Sequence, residues 1–270
     1  MTIGLGKQRH FDIIYCYCMI IGAILAAGKG TRINSHQINK VTLPFNGKRL
    51  INYAVDLYKG MADRTIVVVH AFADSVKEAL RGESVEFVDQ SAPLGTGHAL
   101  KVVIDYLEKQ RLPVTQVLVG YGDHMMFYTR AIVRQLLRAQ ANQQAVVSLI
   151  SVKHPDPDQL AWGRVVRDGS GKIVKIVEQK DATPEERKIE ELNAGFYCFD
   201  YQYARQTKDQ IKKSPVTGEY YINEFIDMAI NSGKKIVALP VDFRFVGIGV
   251  NTTAQLQTSQ ALYTQIKHMP

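Results

Sequence analysis

The chain has 270 residues, 46% of them hydrophobic, and a formal net charge of +7. That is apolar material for one large α/β domain or two small ones, and no apolar run reaches the roughly 20 residues of a bilayer span. The basic excess favours acidic partners such as nucleotides or phosphorylated sugars. The cations are scattered, however, with Arg130, Arg134 and Arg138 at helical spacing and no aromatic interleaving, so nucleic acid and membrane are not expected partners.

Residues 1–18 precede Met19 and read as an N-terminal extension of unknown role, without the cleavage signal of a secretory peptide. Cys16, Cys18 and Cys198 form neither a disulfide framework nor a zinc spacing, and no two histidines stand at ligand spacing. Reduced thiols and a cytoplasmic location are the expectation. Residues 20–25 are apolar and β-branched, which predicts a strand buried on both faces. The strand runs into ILAAGKGTR, residues 24–32. Gly28 and Gly30 let a ligand approach the backbone, exposed N–H groups favour an anion, and Arg32 adds a charge that does not titrate away. A phosphate cradle and a plain strand-to-helix turn both fit this stretch. It is not a Walker loop, since no Gly-Lys-Ser/Thr follows at the right distance, and it lacks the third glycine of a dinucleotide fingerprint.

Helices and strands then alternate. The pattern predicts helix over 50–59, stopped by Gly60, and strand over 65–70. Helix 74–81 follows, with Asp74 as N-cap and Gly82 beyond its end, then strand 85–88, helix 96–110, strand 116–119, helix 129–141 and strand 145–152. This order predicts a Rossmann-like, mostly parallel sheet flanked by helices. After residue 152 the rhythm changes. Segments 164–167 and 173–177 flank DGSG, a hairpin signal, and Thr183, Pro184 and Glu186 spell a capped helix start. Strand 193–199, helix 221–231, strand 236–239 and a closing helix over 252–267 complete the chain. The part at about 19–152 is expected to hold the nucleotide-like portion of a ligand. The hairpin-bearing part at about 153–250 forms the opposite wall of a cleft at the carboxyl ends of the strands.

The glycine loop has company. Lys40 follows it, then QSAPLGTGHA at 90–99, YGD at 121–123, AWGRVV at 161–166, VEQKDA at 177–182, ELNAG at 191–195, TGEYYI at 217–222 and GVN at 249–251. In this order and spacing the set, from Met19 onward, resembles the sugar-nucleotide pyrophosphorylases, a nucleotidyltransferase family. Within it the set is most similar to the uridyltransferase domain of bacterial N-acetylglucosamine-1-phosphate uridyltransferases. The resemblance implies a nucleotidyltransferase domain over 19–270 with a β-hairpin sugar-binding lobe. It implies Mg²⁺-dependent transfer of a uridylyl group from UTP to a sugar 1-phosphate, N-acetylglucosamine 1-phosphate foremost, with release of pyrophosphate. Arg32 and Lys40 become the catalytic cations. Ala26, Ala27, Gly28, Gly30, Gln90, Gly95 and Thr96 fall at the nucleotide, and Tyr121, Gly163, Glu178 and Asn193 at the sugar, with Tyr221 a further candidate there. Asp123 and Asn251 become the metal ligands.

The chemistry agrees with that assignment. A phosphate monoester ionises for the second time near pKa 6, so the nucleophile needs no general base at neutral pH. What the reaction needs is cations placed between two polyanions. The Gln90 amide offers a donor and an acceptor together, which complements the imide edge of uracil. Asp123 ends the strand QVLVGYGD, where a carboxylate meets the cleft, and a carboxylate plus an amide oxygen suit a hard ion that keeps part of its water shell.

Two departures stand out. Ile38-Asn39 precedes Lys40 where the family usually has Leu-Pro, with one extra residue after Arg32, and a looser loop is the expectation. His124-Met125-Met126 follows Asp123 where a small apolar residue, Pro and Leu are usual, which predicts a bulkier, softer wall and an altered acceptor. No hexapeptide repeat follows, so the acetyl transfer and the trimer that such a β-helix brings are not expected. Two other readings stay open: a nucleotidylyltransferase for another acceptor, such as glucose 1-phosphate or a non-sugar phosphate, and a catalytically silent nucleotide-binding subunit. The sequence carries no signal for an oligomeric state.

Overall fold

Residues 18–33 and 38–267 are described in a computed structural model. The elements are β1 (Met19–Leu25), β2 (Pro44–Phe45), β3 (Lys48–Arg49), α1 (Leu50–Tyr58), β4 (Arg64–Val69), α2 (Ala73–Ala79), β5 (Glu86–Asp89), α3 (Thr96–Gln110), β6 (Val114–Tyr121), α4 (Arg130–Gln143), β7 (Val147–Lys153), β8 (Gly163–Arg167), β9 (Ile173–Val177), α5 (Pro184–Arg187), β10 (Glu191–Asp200), α6 (Tyr201–Thr207), α7 (Asn223–Asn231), β11 (Ile236–Pro240) and α8 (Thr253–Lys267). Among the described residues the main sheet has nine strands. Its order is β11-β7-β10-β6-β1-β4-β5, with β8 paired to the outer end of β10 and β9 to β8. β6, β1, β4 and β5 run parallel, as do β7 and β11, while β10 lies antiparallel between β6 and β7. The sheet is the mostly parallel, helix-flanked one that the alternation predicts.

Side chains of β1 show how both faces are covered. Ile21, Ala23 and Leu25 join the apolar cluster that includes α3, α6 and α7, while Ile24 joins the cluster that includes α1, α2 and α4. A third, smaller cluster gathers Phe45, Leu50, Met126, Phe127 and Val250, and α8 lays Leu256, Leu262, Tyr263 and Ile266 against it. That packing brings the start of α8, and with it Asn251, back to the strand ends. Among the described residues no helix is long and apolar enough to cross a membrane.

The structure departs from the sequence reading in local ways. Helix α6 was not predicted. It follows β10 without a break, with Asp200 as N-cap accepting from the Tyr203 amide at 2.7 Å. The β2–β3 hairpin was not predicted either. Asp74 is not the N-cap of α2: Phe72 holds that position at φ 55°, and Asp74 lies in the first turn. Strand β6 runs to Tyr121, beyond the predicted 116–119, which carries that ring to the cleft. Cys18 is exposed; the rest of the expected N-terminal extension, Cys16 included, lies outside the described residues.

Gly22, in the centre of β1, faces the fully buried Tyr58 ring, and a Cβ there would stand 2.5 Å from Tyr58 Cδ2. Gly22→Ala is expected to cost about 2 kcal/mol through overpacking, read as a lower urea midpoint at unchanged m-value. Gly28→Ala, where nothing lies within 4 Å of the added carbon, is the control and is expected to leave the midpoint within about 0.5 kcal/mol.

Candidate active site

Three loops leave the carboxyl ends of the parallel strands and meet. One follows β1 and carries the glycine loop, one follows β5 with Gln90, and one follows β6 with Asp123. What fastens the first of them is Asn39. It is fully buried. Its amide nitrogen faces the carbonyls of Ala26 at 2.8 Å, Ala71 at 2.9 Å and Gly28 at 3.2 Å. Its amide oxygen accepts from the Val41 N–H at 3.1 Å, and its own N–H donates to Ser75 Oγ at 2.9 Å. The side chain therefore ties the segment before Lys40 to the glycine loop and to the β4–α2 connection. Loss of the usual proline does not leave Lys40 slack, because hydrogen bonds supply the constraint that a ring would have supplied.

Lys40 reaches the centre of the site. Its ammonium donates to Asn251 Oδ1 at 2.6 Å and is ion-paired with Asp123. Arg32 Nη2 lies 3.4 Å from the same Asn251 oxygen. The expected catalytic cations and the expected metal ligands are thus brought together, although Asn251 lies more than 200 residues from Arg32 and Lys40. The Val250 N–H also donates to the Asp123 carbonyl at 2.9 Å, which joins those two loops directly.

Two cavities open on either side of this centre, and Lys40, Tyr121 and Asp123 line both. The first, of about 380 Å³, is bounded by Ala26, Ala27, Gly28, Gln90, Gly95 and Thr96. Lys29 lines it too, a cation that the sequence reading did not single out. Gly30 does not reach the cavity; at φ 64° it accepts from the Ile33 N–H and starts the short turn that carries Arg32. The Gln90 amide nitrogen donates to the Gly95 carbonyl at 2.9 Å and lies 3.2 Å from His98 Nδ1. The donor half of that amide is spent inside the protein, and the acceptor half is the part open to a ligand. Gly95 is forced: at φ 108° an added Cβ would sit 2.5 Å from the Tyr220 carbonyl. Thr96 Oγ1 accepts from the Ile222 N–H at 3.0 Å, so α3 is anchored to the second half of the chain as it begins.

The second cavity, of about 270 Å³, is lined by Gly163, Glu178 and Asn193 as the resemblance implies, with Arg32, His124, Trp162 and Asn251. Its floor is a polar chain. Asn193 donates to Tyr197 Oη at 2.8 Å and to Asn223 Oδ1 at 3.2 Å, and Asn223 donates to Glu178 Oε1 at 2.8 Å. Asn193 is thereby largely satisfied within the protein. Asn223, which the sequence reading missed, is what orients Glu178. Burial pushes the Glu178 carboxyl up to about 7, aided by Asp181 and Glu219 and opposed by the Asn223 hydrogen bond. Tyr121 crosses β10 at Gly195, where φ is 74° and an added Cβ would meet the ring at 2.5 Å. The β10 register breaks at the same place. Tyr221 lines neither cavity; its hydroxyl pairs with Thr217.

The segment after Asp123 behaves differently from the expected soft wall. Met125 lies under Gly120 and Met126 enters the third core cluster, so neither methionine faces the cavity. Only His124 does. Its ring sits 4.7 Å from that of Trp162, and burial holds the imidazole below its ordinary value against the opposing pull of Asp123.

Asn39→Ala leaves buried carbonyls without a donor and is expected to cost about 3 kcal/mol in urea unfolding. Asn39→Asp, which turns a carboxylate on the same carbonyls, is expected to cost more, and a milder effect than Ala would contradict the pinning role. For Glu178, the unfolded carboxyl ionises near its ordinary 4.5 and the folded one near about 7. Between those values the folded state holds the extra proton, so stability falls as pH rises. Glu178→Gln removes this loss, and its denaturation midpoint is expected to gain on wild type progressively from about pH 5 to about pH 7.

The comparisons with known proteins follow the same geometry. Residues 21–247 match the family model described as Nucleotidyl transferase. The chain is 39% identical over 240 residues to the Bifunctional protein GlmU of Exiguobacterium sibiricum, covering 87% of this chain and 52% of that protein. It is 36% identical over 229 residues to the Bifunctional protein GlmU of Lactobacillus gasseri, covering 84% and 48%. The chain thus spans about half the length of these relatives. A solved structure from Bacillus anthracis, described as a glucose-1-phosphate thymidylyltransferase and crystallised with sucrose, superposes with a TM-score of 0.71 at 22% identity. That superposition covers 93% of this chain and 98% of the other, and it shows a shared fold. A family match that begins in β1 and runs past β11 takes in the glycine loop, Lys40, Gln90, Asp123 and Glu178 alike, and the chain belongs to the nucleotidyl transferase family as an enzyme of that class.

Proposed function

We propose that the chain transfers a uridylyl group from UTP to a sugar 1-phosphate, N-acetylglucosamine 1-phosphate foremost, and releases pyrophosphate. The observation that carries this reading is the pair of cavities sharing Lys40, Tyr121 and Asp123. A nucleotide in one and a phosphorylated sugar in the other meet at a cationic point. The Gln90 amide oxygen, for which no protein partner is found among the described residues, is available to accept from the N–H of a uracil ring. The start of α3 at Gly95 and Thr96 adds a helix N-terminus, which favours negative charge. On the sugar side Glu178 supplies an acceptor for ring hydroxyls, and Gly163 leaves room where a Cβ would close on the Val177 carbonyl at 3.3 Å.

The residues do little covalent chemistry. The acceptor phosphate is already a nucleophile at neutral pH. Arg32 and Lys40 offset the charge of the triphosphate and of the departing pyrophosphate, and the two cavities hold the reacting groups in line. Asp123 and Asn251 fit a divalent cation. Their oxygens both reach Lys40 Nζ and so face one point, and a carboxylate with an amide oxygen is a hard donor set. Among the described residues no three His, Cys, Asp or Glu side chains gather as a metal cage. Asp123 and Asn251 would hold such an ion, which would supply further positive charge against the phosphates. A cytoplasmic location, where UTP is at hand, accords with this reading.

Incubation with UTP, Mg²⁺ and a panel of acceptors, among them N-acetylglucosamine 1-phosphate, glucose 1-phosphate and a non-sugar phosphate monoester, decides the matter by pyrophosphate release. N-acetylglucosamine 1-phosphate is expected to give the highest kcat/KM. Turnover with none of them, despite tight UTP binding, would point instead to a silent nucleotide-binding subunit. Asp123→Ala is expected to lower kcat by about a hundredfold or more with the fold intact by circular dichroism, and a fully active variant would remove Asp123 from the site.

A further inference from the structure

His124 occupies a place of its own between the parts of the site. On one side its Nε2–H donates to the Gly247 carbonyl at 3.4 Å, and Gly249 lies against the ring so closely that a Cβ there would stand 3.0 Å from His124 Cγ. Gly247 and Gly249 belong to the loop that presents Asn251. On the other side the imidazole rests on Trp162, ring centroids 4.7 Å apart, immediately before Gly163. Through its own backbone it adjoins Asp123. One ring therefore touches the loop of each expected metal ligand and the turn that opens the acceptor cavity, and it is 6% exposed.

The resemblance puts a small apolar residue at this position, which fills neither contact. Gly249, part of the GVN motif that carries the resemblance, leaves the space that the larger group takes, and a Cβ there would crowd the imidazole. We propose that His124 is a positioning residue that braces the Asp123 and Asn251 loops through Gly247 and, through its tilted contact with Trp162, sets the width of the acceptor cavity. The inference rests on the uridylyltransferase reading for the identity of the acceptor. It separates two contributions by chemistry. The N–H acts on the metal-side loop, and the ring volume acts on the acceptor.

Trp162 is the chain's single tryptophan, so its emission reports on this contact without turnover. Wild type, His124→Ala and His124→Phe are titrated with N-acetylglucosamine 1-phosphate by Trp162 fluorescence. The Mg²⁺ concentration that half-saturates thermal stabilisation of the UTP complex is measured beside it. His124→Ala is expected to shift the emission, raise the acceptor midpoint about tenfold and raise the Mg²⁺ midpoint about fivefold, with the KM for UTP within about twofold of wild type. His124→Phe keeps the ring and loses the hydrogen bond. It is expected to hold the acceptor midpoint within about threefold while the Mg²⁺ midpoint still rises, and it carries the test alone if the alanine variant does not fold. Unchanged midpoints in both variants of an active enzyme, or equal losses for UTP and acceptor, would reduce His124 to packing. A wild-type protein that releases no pyrophosphate from any acceptor would overturn the functional reading and this inference together.

Discussion

Lys40 is the point on which the site turns. An ammonium group in contact with both a carboxylate and an amide oxygen, and largely shielded from solvent, ties together the side chains of two loops that the Val250–Asp123 backbone bond already joins. Two carboxylate-rich or phosphate-rich groups do not approach one another in a protein cleft unless positive charge stands between them, because the repulsion grows as water is excluded. Arg32 adds a second charge beside the same Asn251 oxygen. The fold's large-scale features then read as means to one end. Parallel strands deliver the glycine loop and Asp123 from one side of the molecule, and α8, packed on Phe45 and Phe127 by its apolar face, returns the chain so that Asn251 arrives from the other.

A cation held this way is useful only if its backbone does not wander, and the chain solves that with buried polar groups. Asn39 joins two carbonyls of the glycine-rich loop, Ala26 and Gly28, to that of Ala71 in the β4–α2 connection, which turns an entropic liability into a fixed edge. Asn193, Asn223 and Glu178 do the same on the acceptor side. Such networks stabilise only when complete, since each member left unpartnered in a low-dielectric interior costs more than its hydrogen bond contributes. The glycines serve close approach. Gly95 admits the Tyr220 backbone and Gly195 admits the Tyr121 ring, and both cavities take their shape from those two contacts.

Much of this was legible in the chain itself, and the rest failed for physical reasons. Strands such as 20–25 announce themselves because a strand covered on both faces must be apolar throughout. The charged members of the candidate site were singled out by the ordered set of motifs, from the glycine loop to GVN at 249–251, that carries the family resemblance. Asn39 could not be. Asparagine reads as a turn former, and its partners at Ala26 and Ala71 lie 13 and 32 residues away, so nothing local marks it as a buried hub. Helix α6 is too short for its apolar period to repeat. The methionines after Asp123 were assigned to the cavity wall because they are its neighbours in sequence. A tight turn instead sends consecutive side chains in different directions, and Gly120 leaves a slot that Met125 fills.

That last case bears on how such a site can change its substrate. On the proposed reading, Arg32 and Lys40 answer to the charge of phosphate, which every acceptor shares, and the oxygens of Asp123 and Asn251 to the cation that offsets it. The neutral wall beyond them answers to the shape of whatever carries the phosphate. Here the wall is an imidazole on an indole, with Glu178 and its amide partners across the cavity. The ring at position 124 packs on Gly249 and meets the Gly247 carbonyl, so exchanging it also touches the loop that bears Asn251. On the proposed reading, acceptor choice and cation placement are coupled through the packing of His124 on Trp162 and on the loop that bears Asn251.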